Sequence, residues 1–258
     1  MKRQEFRQLF DCTGPAVTPV IHVLDVQQTA KNIDIAIDIG VPGVFLINHD
    51  FPVDEFLPIV REIRKRYPSL WLGLNFLAVP GDRAFPVLAE LERDGCNIDA
   101  YWADDACIDE SSTLETQVTA NKIKEIREQS GWNGFYLGGT CFKKQREVSV
   151  ADYGAAAELA THFMDAVCTS GVATGKEADL NKISTFRESI GDYVLALASG
   201  VTPDNANAYH QVDCFLVATG INLHGDFYNI DPVKLAQLMT IAEEMPDRRD
   251  AQTMSNQP

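Results

Sequence analysis

Short apolar segments alternate along the chain with longer segments in which apolar residues recur every three or four positions. Short apolar runs are typical of strands buried on both faces, and the longer pattern is typical of amphipathic helices. The predicted strands cover residues 16–23, 43–47, 70–75, 98–102, 134–137 and 166–168, a run that ends at Leu197-Ala198, and residues 215–217. Eight strands alternating with helices predict an α/β fold, a single-domain (β/α)8 TIM barrel. We expect the barrel to occupy residues 1–245 and a polar, disordered tail to follow at 246–258.

The segment 26–39 is the ambiguous part of this pattern. Its sequence IDIAIDI alternates as a strand does, whereas Ala30, Ile33 and Ile37 keep a helical spacing. We predict a helix here because Gly40-Val41-Pro42 follows as a stop signal, with a β-hairpin as the alternative.

Capping patterns predict where three other helices begin. Ser112 and Glu115 have the spacing of a capping box. Thr202-Pro203 combines a capping residue with a proline that fits the first helical turn. After the last strand, Ile221-Asn222 could begin a short helix.

Small residues follow the last three strands of the predicted barrel. Glycine and serine at these points allow backbone N–H groups to come close to a bound anion. Loops after the last two strands of such barrels often form a phosphate site in this way. We therefore predict a phosphate site made by Ser170, Gly171, Ser199, Gly200, Thr219 and Gly220.

Polar residues with catalytic potential lie at the ends of the other predicted strands. Barrel enzymes carry their reactive groups at the carboxyl ends of the strands. Histidine, carboxylate and lysine side chains there could act as acids or bases, and lysine could also neutralise phosphate or form a Schiff base. The candidate catalytic residues are His22, Asn48, Asn75, Asp104 and Lys143.

Composition narrows the classes of partner. The 258 residues carry a formal net charge of -15, which argues against nucleic acid or an anionic membrane as a general partner. The six cysteines include no Cys-x-x-Cys pair, which favours free thiols in a reducing compartment. We expect a cytoplasmic protein, because the N-terminus has no signal-like apolar segment and no apolar run is long enough to span a membrane.

No cofactor is expected from the sequence. It contains neither the glycine-rich fingerprint of dinucleotide-binding proteins nor a P-loop, and it lacks the His-x-His and His-Glu-x-x-His spacings of common metal sites. A metal-dependent hydrolase remains an alternative, with His22, His49, Asp50 and Asp104 as its ligands.

Three segments carry a family resemblance. They are TSGVATGKEADLNKISTFRE, ALASGVTPDNANAY and VATGINLHGDFYNIDPVKLAQLM, and weaker matches lie at Val20-Ile21-His22, Leu72-Gly73-Leu74-Asn75 and Phe142-Lys143-Lys144. In these segments the chain closely resembles the BtpA family of TIM-barrel proteins. The resemblance implies a phosphate-binding barrel related to enzymes of phosphoribosyl and indole-glycerol phosphate metabolism.

Together these observations predict a TIM-barrel enzyme that acts on a small phosphorylated metabolite by general acid and base chemistry. Its substrate would be a sugar phosphate or phosphoribosyl compound, and its reaction an isomerisation, a lyase reaction or a phosphoribosyl-type transfer. The resemblance leaves open a non-catalytic assembly or regulatory protein of the BtpA type. A homo-oligomer is a further expectation.

Overall fold

The computed structural model describes residues 1–143 and 145–245, and their eight strands form one closed parallel barrel in sequential order. The strands are β1 (Ala16–His22), β2 (Val44–Ile47), β3 (Leu72–Asn75), β4 (Ala100–Ala103), β5 (Phe135–Gly139), β6 (Ala166–Thr169), β7 (Leu195–Leu197) and β8 (Cys214–Val217). The ring closes where β1 pairs with β8, from Ala16 opposite Cys214 to Pro19 opposite Val217. The predicted fold is therefore confirmed.

Helices surround the barrel and connect its strands. Their bounds are α1 (Arg3–Phe10), α2 (Val26–Ile39), α3 (Val53–Arg66), α4 (Gly81–Arg93), α5 (Val118–Ser130), α6 (Tyr153–Ala160), α7 (Leu180–Ile190) and α8 (Pro232–Glu244). Aspartates cap three of them, since Asp25, Asp179 and Asp231 each accept a hydrogen bond from a backbone N–H of the first turn. Segment 26–39 is thus helical, and the hairpin alternative is wrong.

Two apolar cores result from the alternation of side chains along each strand. In β4, for example, Ala100 and Trp102 belong to the core inside the barrel, whereas Tyr101 and Ala103 belong to the core between barrel and helices. Polar residues at the carboxyl ends of the strands lie above the inner core. This arrangement places the candidate site at one end of the barrel.

Helix α1 closes the opposite end. Its Phe6 and Phe10 are buried in the inner core, where Phe6 packs against Phe135 and Phe10 against Trp71 at ring-centroid distances of 5.7 and 4.9 Å. Phe135 begins β5 and Trp71 precedes β3, so these rings cover the amino ends of the strands. The barrel is therefore open at its carboxyl end only.

Three predicted helix starts are wrong. The side chain of Ser112 donates to Asp109, and α5 begins only at Val118. No helix begins at Thr202-Pro203, where the chain turns before a short 3-10 helix, Ala206–Tyr209. Asn222 forms an isolated bridge with Ile230 in place of the expected helix. The predicted tail, 246–258, lies outside the described residues.

Candidate functional site

A pocket occupies the carboxyl end of the barrel. It contains about 670 Å³ of space not filled by atoms, part of which is open to solvent. Its polar lining comes from residues that follow several different strands, while Val20, Ile47, Trp102 and Leu216 form its apolar floor. The predicted site residues that line it are His22, Asp104, Lys143, Ser199, Gly200, Thr219 and Gly220.

The loop that follows β8 covers part of this pocket with Phe227. The ring of Phe227 stacks on His22 with a centroid distance of 3.8 Å and an interplanar angle of 18°. Neighbouring contacts hold the loop in place: Asn222 Nδ2 donates to the carbonyl of Phe227, and the hydroxyl of Tyr228 donates to Asp50 at 2.8 Å. The pocket therefore has an aromatic cover that is attached to the loop after β2.

His22 is neutral in this environment. Burial is the main cause that lowers its pKa from 6.5 to about 4, since a charged imidazolium would lose its hydration. Its Nδ1 lies 3.1 Å from the carbonyl oxygen of Phe227. A carbonyl can only accept, so Nδ1 carries the proton and Nε2 is left as an acceptor. His22 is thus a hydrogen-bond acceptor or a weak base rather than a group that titrates near neutral pH.

The Asp104 carboxylate is held by two donors from the loop after β3. Asn75 Nδ2 donates to one oxygen and the backbone N–H of Ala78 donates to the other, both at 3.2 Å. Ala78 has a φ of 58°, an uncommon conformation for a residue with a Cβ. These bonds fix the carboxylate at the edge of the pocket, where it can act as a base.

Lys143 brings a positive charge to the same pocket. Its Nζ donates to the carbonyl of Ala198 at 2.8 Å, which places the ammonium group beside the loop that follows β7. Its backbone N–H donates to Ser170 Oγ at 2.7 Å. The side chain is half-buried, so an anion bound nearby would meet an ammonium only partly screened by water.

The backbone after β7 and β8 has unused hydrogen-bond donors. Among the described residues, none accepts a hydrogen bond from the N–H of Ser199, Gly200, Thr219 or Gly220. All four residues line the pocket. Ser199 and Gly200 are buried, Gly220 is half-buried and Thr219 is exposed. Buried N–H groups without acceptors are uncommon in folded proteins, and backbone N–H groups in these loops bind phosphate in other barrels.

Glycine is required at two of these positions by close backbone contacts. Gly200 has a φ of 67°, and a Cβ there would lie 2.2 Å from the carbonyl oxygen of Lys176. A Cβ on Gly220 would lie 1.9 Å from the carbonyl oxygen of Val201. The loops thus pack against one another through their main chains.

Four predicted site residues do not line the pocket, because each bonds within the protein. Gly171 donates its N–H to Ser199 Oγ at 2.6 Å, and Ser170 Oγ donates to the Gly171 carbonyl. Asn48 donates to the carbonyl of Phe51 and accepts from the N–H of Leu77. Asn75 supports Asp104 from below. These residues join and position the loops around the pocket.

The proposed metal ligands do not form a site. Among residues 1–143 and 145–245, no three His, Cys, Asp or Glu side chains lie close enough together to hold a metal ion. His49 packs edge-on against His22 and Phe227, and Asp50 accepts from Tyr228. The six cysteines are free thiols, as expected.

Trp102 and Phe227 are among the lining residues that the sequence did not predict as site residues. Trp102 lies within an apolar strand, where the sequence predicts a core residue. Only the alternation of inward-facing and outward-facing side chains along β4 could have indicated that Trp102 faces the pocket. Phe227 belongs to the polar sequence LHGDFYN after β8. Two adjacent aromatic residues in such a loop could have indicated a cover over the barrel mouth. The expectation that site residues lie directly at the ends of strands does not include them.

Comparisons with known proteins agree with the fold and the resemblance. The family model of the BtpA family matches residues 147–244, a segment that includes β6 to β8, which confirms the BtpA resemblance over this part of the chain. No curated protein matches the chain significantly. Among the described residues, no helix has the length and apolar character needed to cross a bilayer.

Solved structures with the same fold cover most of the chain. A structure described as native KDPGal has a TM-score of 0.58 and 12% identity over 92% of this chain and 96% of its own. Phosphoribosyl anthranilate isomerase from Thermus thermophilus has a TM-score of 0.56 and 13% identity over 87% of this chain and 96% of its own. The L-Ala-D/L-Glu epimerase from Bacillus subtilis has a TM-score of 0.53 and 11% identity over 82% of this chain and 56% of its own. At these identities the likeness shows the fold alone.

Proposed function

We propose that this chain is an enzyme that binds a small phosphorylated metabolite, a sugar phosphate or phosphoribosyl compound, at the carboxyl end of its barrel. The observation that supports the proposal is the group of unused N–H donors after β7 and β8, which share one pocket with Lys143. Backbone donors and a nearby ammonium are the combination that binds a phosphate dianion. The name of one structural neighbour, phosphoribosyl anthranilate isomerase, is consistent with such a ligand.

The remaining polar groups of the pocket fit general acid and base chemistry. Asp104 would accept a proton from the substrate, because its carboxylate is fixed by two donors and faces the pocket. Lys143 would stabilise negative charge that develops on the reacting end or on the phosphate. The neutral His22 would bind a substrate hydroxyl through Nε2. An isomerisation, a lyase reaction or a phosphoribosyl-type transfer would use these groups.

Binding of inorganic phosphate tests the proposed phosphate site. At 100 times its dissociation constant it should stabilise the protein by roughly 2.7 kcal/mol, which for a domain of this size raises Tm by roughly 5 to 10 °C. Thr219 is an exposed lining residue, so Thr219→Glu should fold and repel the anion, whereas Thr219→Gln keeps the size without the charge. We expect the rise in Tm to disappear in Thr219→Glu and to persist in Thr219→Gln.

Lys143 provides a second, independent variant. Lys143→Gln should reduce the rise in Tm by half or more, because the ammonium beside the Ala198 carbonyl is lost. An equal rise in wild type, Thr219→Glu and Lys143→Gln would show that phosphate binds elsewhere. Gly200 and Gly220 are unsuitable for this test, since any side chain there meets neighbouring backbone.

The aromatic cover is the observation that favours the alternative of a non-catalytic assembly or regulatory protein. Phe227 packs on His22 and narrows access to the pocket, as expected of a barrel that no longer turns over substrate. Phosphate binding without turnover of any of a panel of phosphorylated sugars would support this alternative. Turnover that Asp104→Asn abolishes would support the enzyme.

A further inference from the structure

Trp102 has a buried hydrogen-bond donor without a partner. The residue is 4% exposed and lines the pocket, and its Nε1 has no acceptor among the described residues. The other fully buried indole of the chain behaves differently, since Trp132 Nε1 donates to the carbonyl of Ile98 at 3.2 Å. A buried N–H without an acceptor costs free energy, so native proteins rarely keep one unless a ligand or water completes it.

The side chain of Trp102 faces the interior of the barrel. It packs edge-on against Phe45 and Phe142, at centroid distances of 6.2 and 5.9 Å. Residues two apart on a strand point to the same face, so Trp102 lies one layer deeper than Asp104 on the same side of β4. The indole is therefore at the bottom of the pocket, beneath the candidate base.

A second polar atom without a partner lies in the same layer. Strand β3 pairs with β4 so that Gly73 lies opposite Ala100 and Leu74 opposite Tyr101, and one further step places Asn75 beside Trp102. Asn75 is completely buried, and its Oδ1 has no donor among the described residues. Asn75 is not among the residues that line the pocket, so of these two atoms only Trp102 Nε1 can meet a ligand there. A hydroxyl oxygen is a suitable acceptor for this N–H.

This layer lies across the barrel from the unused backbone donors. In the order β1 to β8, strands β3 and β4 are opposite β7 and β8. A ligand whose phosphate meets the loops after β7 and β8 would extend its other end toward Asp104 and Trp102.

We propose that Trp102 Nε1 donates a hydrogen bond to a hydroxyl oxygen of the ligand's sugar part. This inference rests on the proposed function and narrows it, because it requires a hydroxyl group on the carbon chain attached to the phosphate. Trp102 is thus a specificity-determining residue: it separates sugar phosphates from phosphate itself.

The test compares two conservative variants. Trp102→Phe removes the indole N–H and keeps an aromatic ring in the inner core. Tyr136→Phe is the matched control, because the Tyr136 hydroxyl is also buried without a partner but belongs to the core outside the barrel and does not line the pocket. Calorimetry with inorganic phosphate, ribose 5-phosphate and fructose 6-phosphate gives Kd for each protein.

In wild type and Tyr136→Phe we expect at least one sugar phosphate to bind tenfold or more tightly than inorganic phosphate. In Trp102→Phe that preference should fall about tenfold, while Kd for inorganic phosphate stays unchanged. The indole N–H signals of the three tryptophans provide a direct readout, because the sugar phosphate should shift the signal of Trp102 and inorganic phosphate should not.

Two results would overturn the inference: a wild type with no preference for either sugar phosphate, or a preference that survives in Trp102→Phe. The second result would mean that water alone satisfies the indole. Failure of inorganic phosphate to bind is a separate outcome, which contradicts the proposed function itself and removes this inference with it.

Discussion

The chemistry of His22 depends on what packs against its ring. Its place at the end of a strand predicts acid and base catalysis near neutral pH. The structure covers one face with Phe227 and fixes Nδ1 on a carbonyl oxygen, so that burial lowers the pKa to about 4. A ligand in the pocket would therefore meet an unprotonated Nε2. In a fully solvated histidine a fraction of the imidazole rings is protonated near neutral pH.

The lowered pKa makes stability depend on pH. Between about pH 6.5 and 4 the unfolded chain binds a proton at His22 that the folded chain does not, so the free energy of unfolding falls as pH falls through this range. The difference amounts to about 3 kcal/mol, since one pKa unit corresponds to about 1.4 kcal/mol. Above pH 6.5 this contribution is constant.

Urea denaturation at a series of pH values measures this effect. Between pH 6.5 and 4 the free energy of unfolding of His22→Gln should fall by about 3 kcal/mol less than that of wild type. His162→Gln, at an exposed position, should leave the wild-type slope nearly unchanged. Parallel curves for wild type and His22→Gln would contradict the lowered pKa.

The expectation that site residues lie at strand ends pointed to His22, Asp104 and Lys143, which line the pocket, because it needs only the alternation of strands and polar residues. It also named Asn75, which does not line the pocket and donates a hydrogen bond to Asp104. Trp102 escaped it, since an apolar residue inside a strand gives no sign that its single polar atom will lack a partner. That property depends on the neighbours in three dimensions.

The loops at the barrel mouth are held together by one buried lysine. Lys182, in α7, donates from Nζ to the carbonyls of Cys141 and Ser170 at 2.5 and 2.9 Å. Burial is the main cause that lowers its pKa, and the ammonium also lies over the rings of Tyr153 and Phe186. The side chain joins the loop that carries Lys143 to the loop after β6.

Removing the Lys182 ammonium should loosen this junction. Lys182→Met keeps much of the apolar stem and leaves two carbonyls without their donor, so we expect a loss of about 2 to 3 kcal/mol in the free energy of unfolding. Lys122→Met is the control: its ammonium is largely exposed and lies 3.5 Å from Asp82, so the pair should contribute less than about 1 kcal/mol. Equal stability of the two variants would show that Lys182 does not support the loops.

Elements were predicted best where periodicity extends over many residues. Helix α2 has the predicted bounds because its apolar face and its glycine stop agree. The expected helix at Thr202-Pro203 failed although its local signals were present. There Asn205 accepts from the Thr202 N–H and donates to the Gly200 carbonyl, so side-chain hydrogen bonds favour a turn over a helix.

A buried ion cluster supports the ring as a whole at its amino end. The Asp213 carboxylate, immediately before β8, accepts from Arg3 at 2.5 Å, from Arg187 at 2.6 Å and from the N–H of Leu195 at 2.9 Å. These partners come from α1, α7 and β7. One side chain therefore links the helix that closes the barrel with the strands beside the seam.

Neutralising Asp213 should affect the entire fold. Asp213→Asn retains the shape but removes the carboxylate charge that two largely buried guanidinium groups contact, so we expect a loss of about 3 to 5 kcal/mol. Asp94→Asn breaks an exposed pair with Arg61 and should cost less than about 1 kcal/mol. Urea unfolding of both variants gives the comparison, and similar midpoints would contradict this assignment.

Closure into a ring was predictable because eight strand and helix units in sequence have few other arrangements. The cluster around Asp213 was not, since its members are up to 210 positions apart and each one alone resembles a surface charge. A homo-oligomer and a cytoplasmic location stay predictions.

Phe6 and Phe10 have a consequence for the route into the pocket. Together with the rest of the inner core they fill the barrel beneath the pocket, so a ligand cannot pass through to the amino end. A ligand that enters past Phe227 must leave by the same route. For the proposed enzyme, the product and the next substrate molecule would therefore share one opening, and we expect competitive product inhibition.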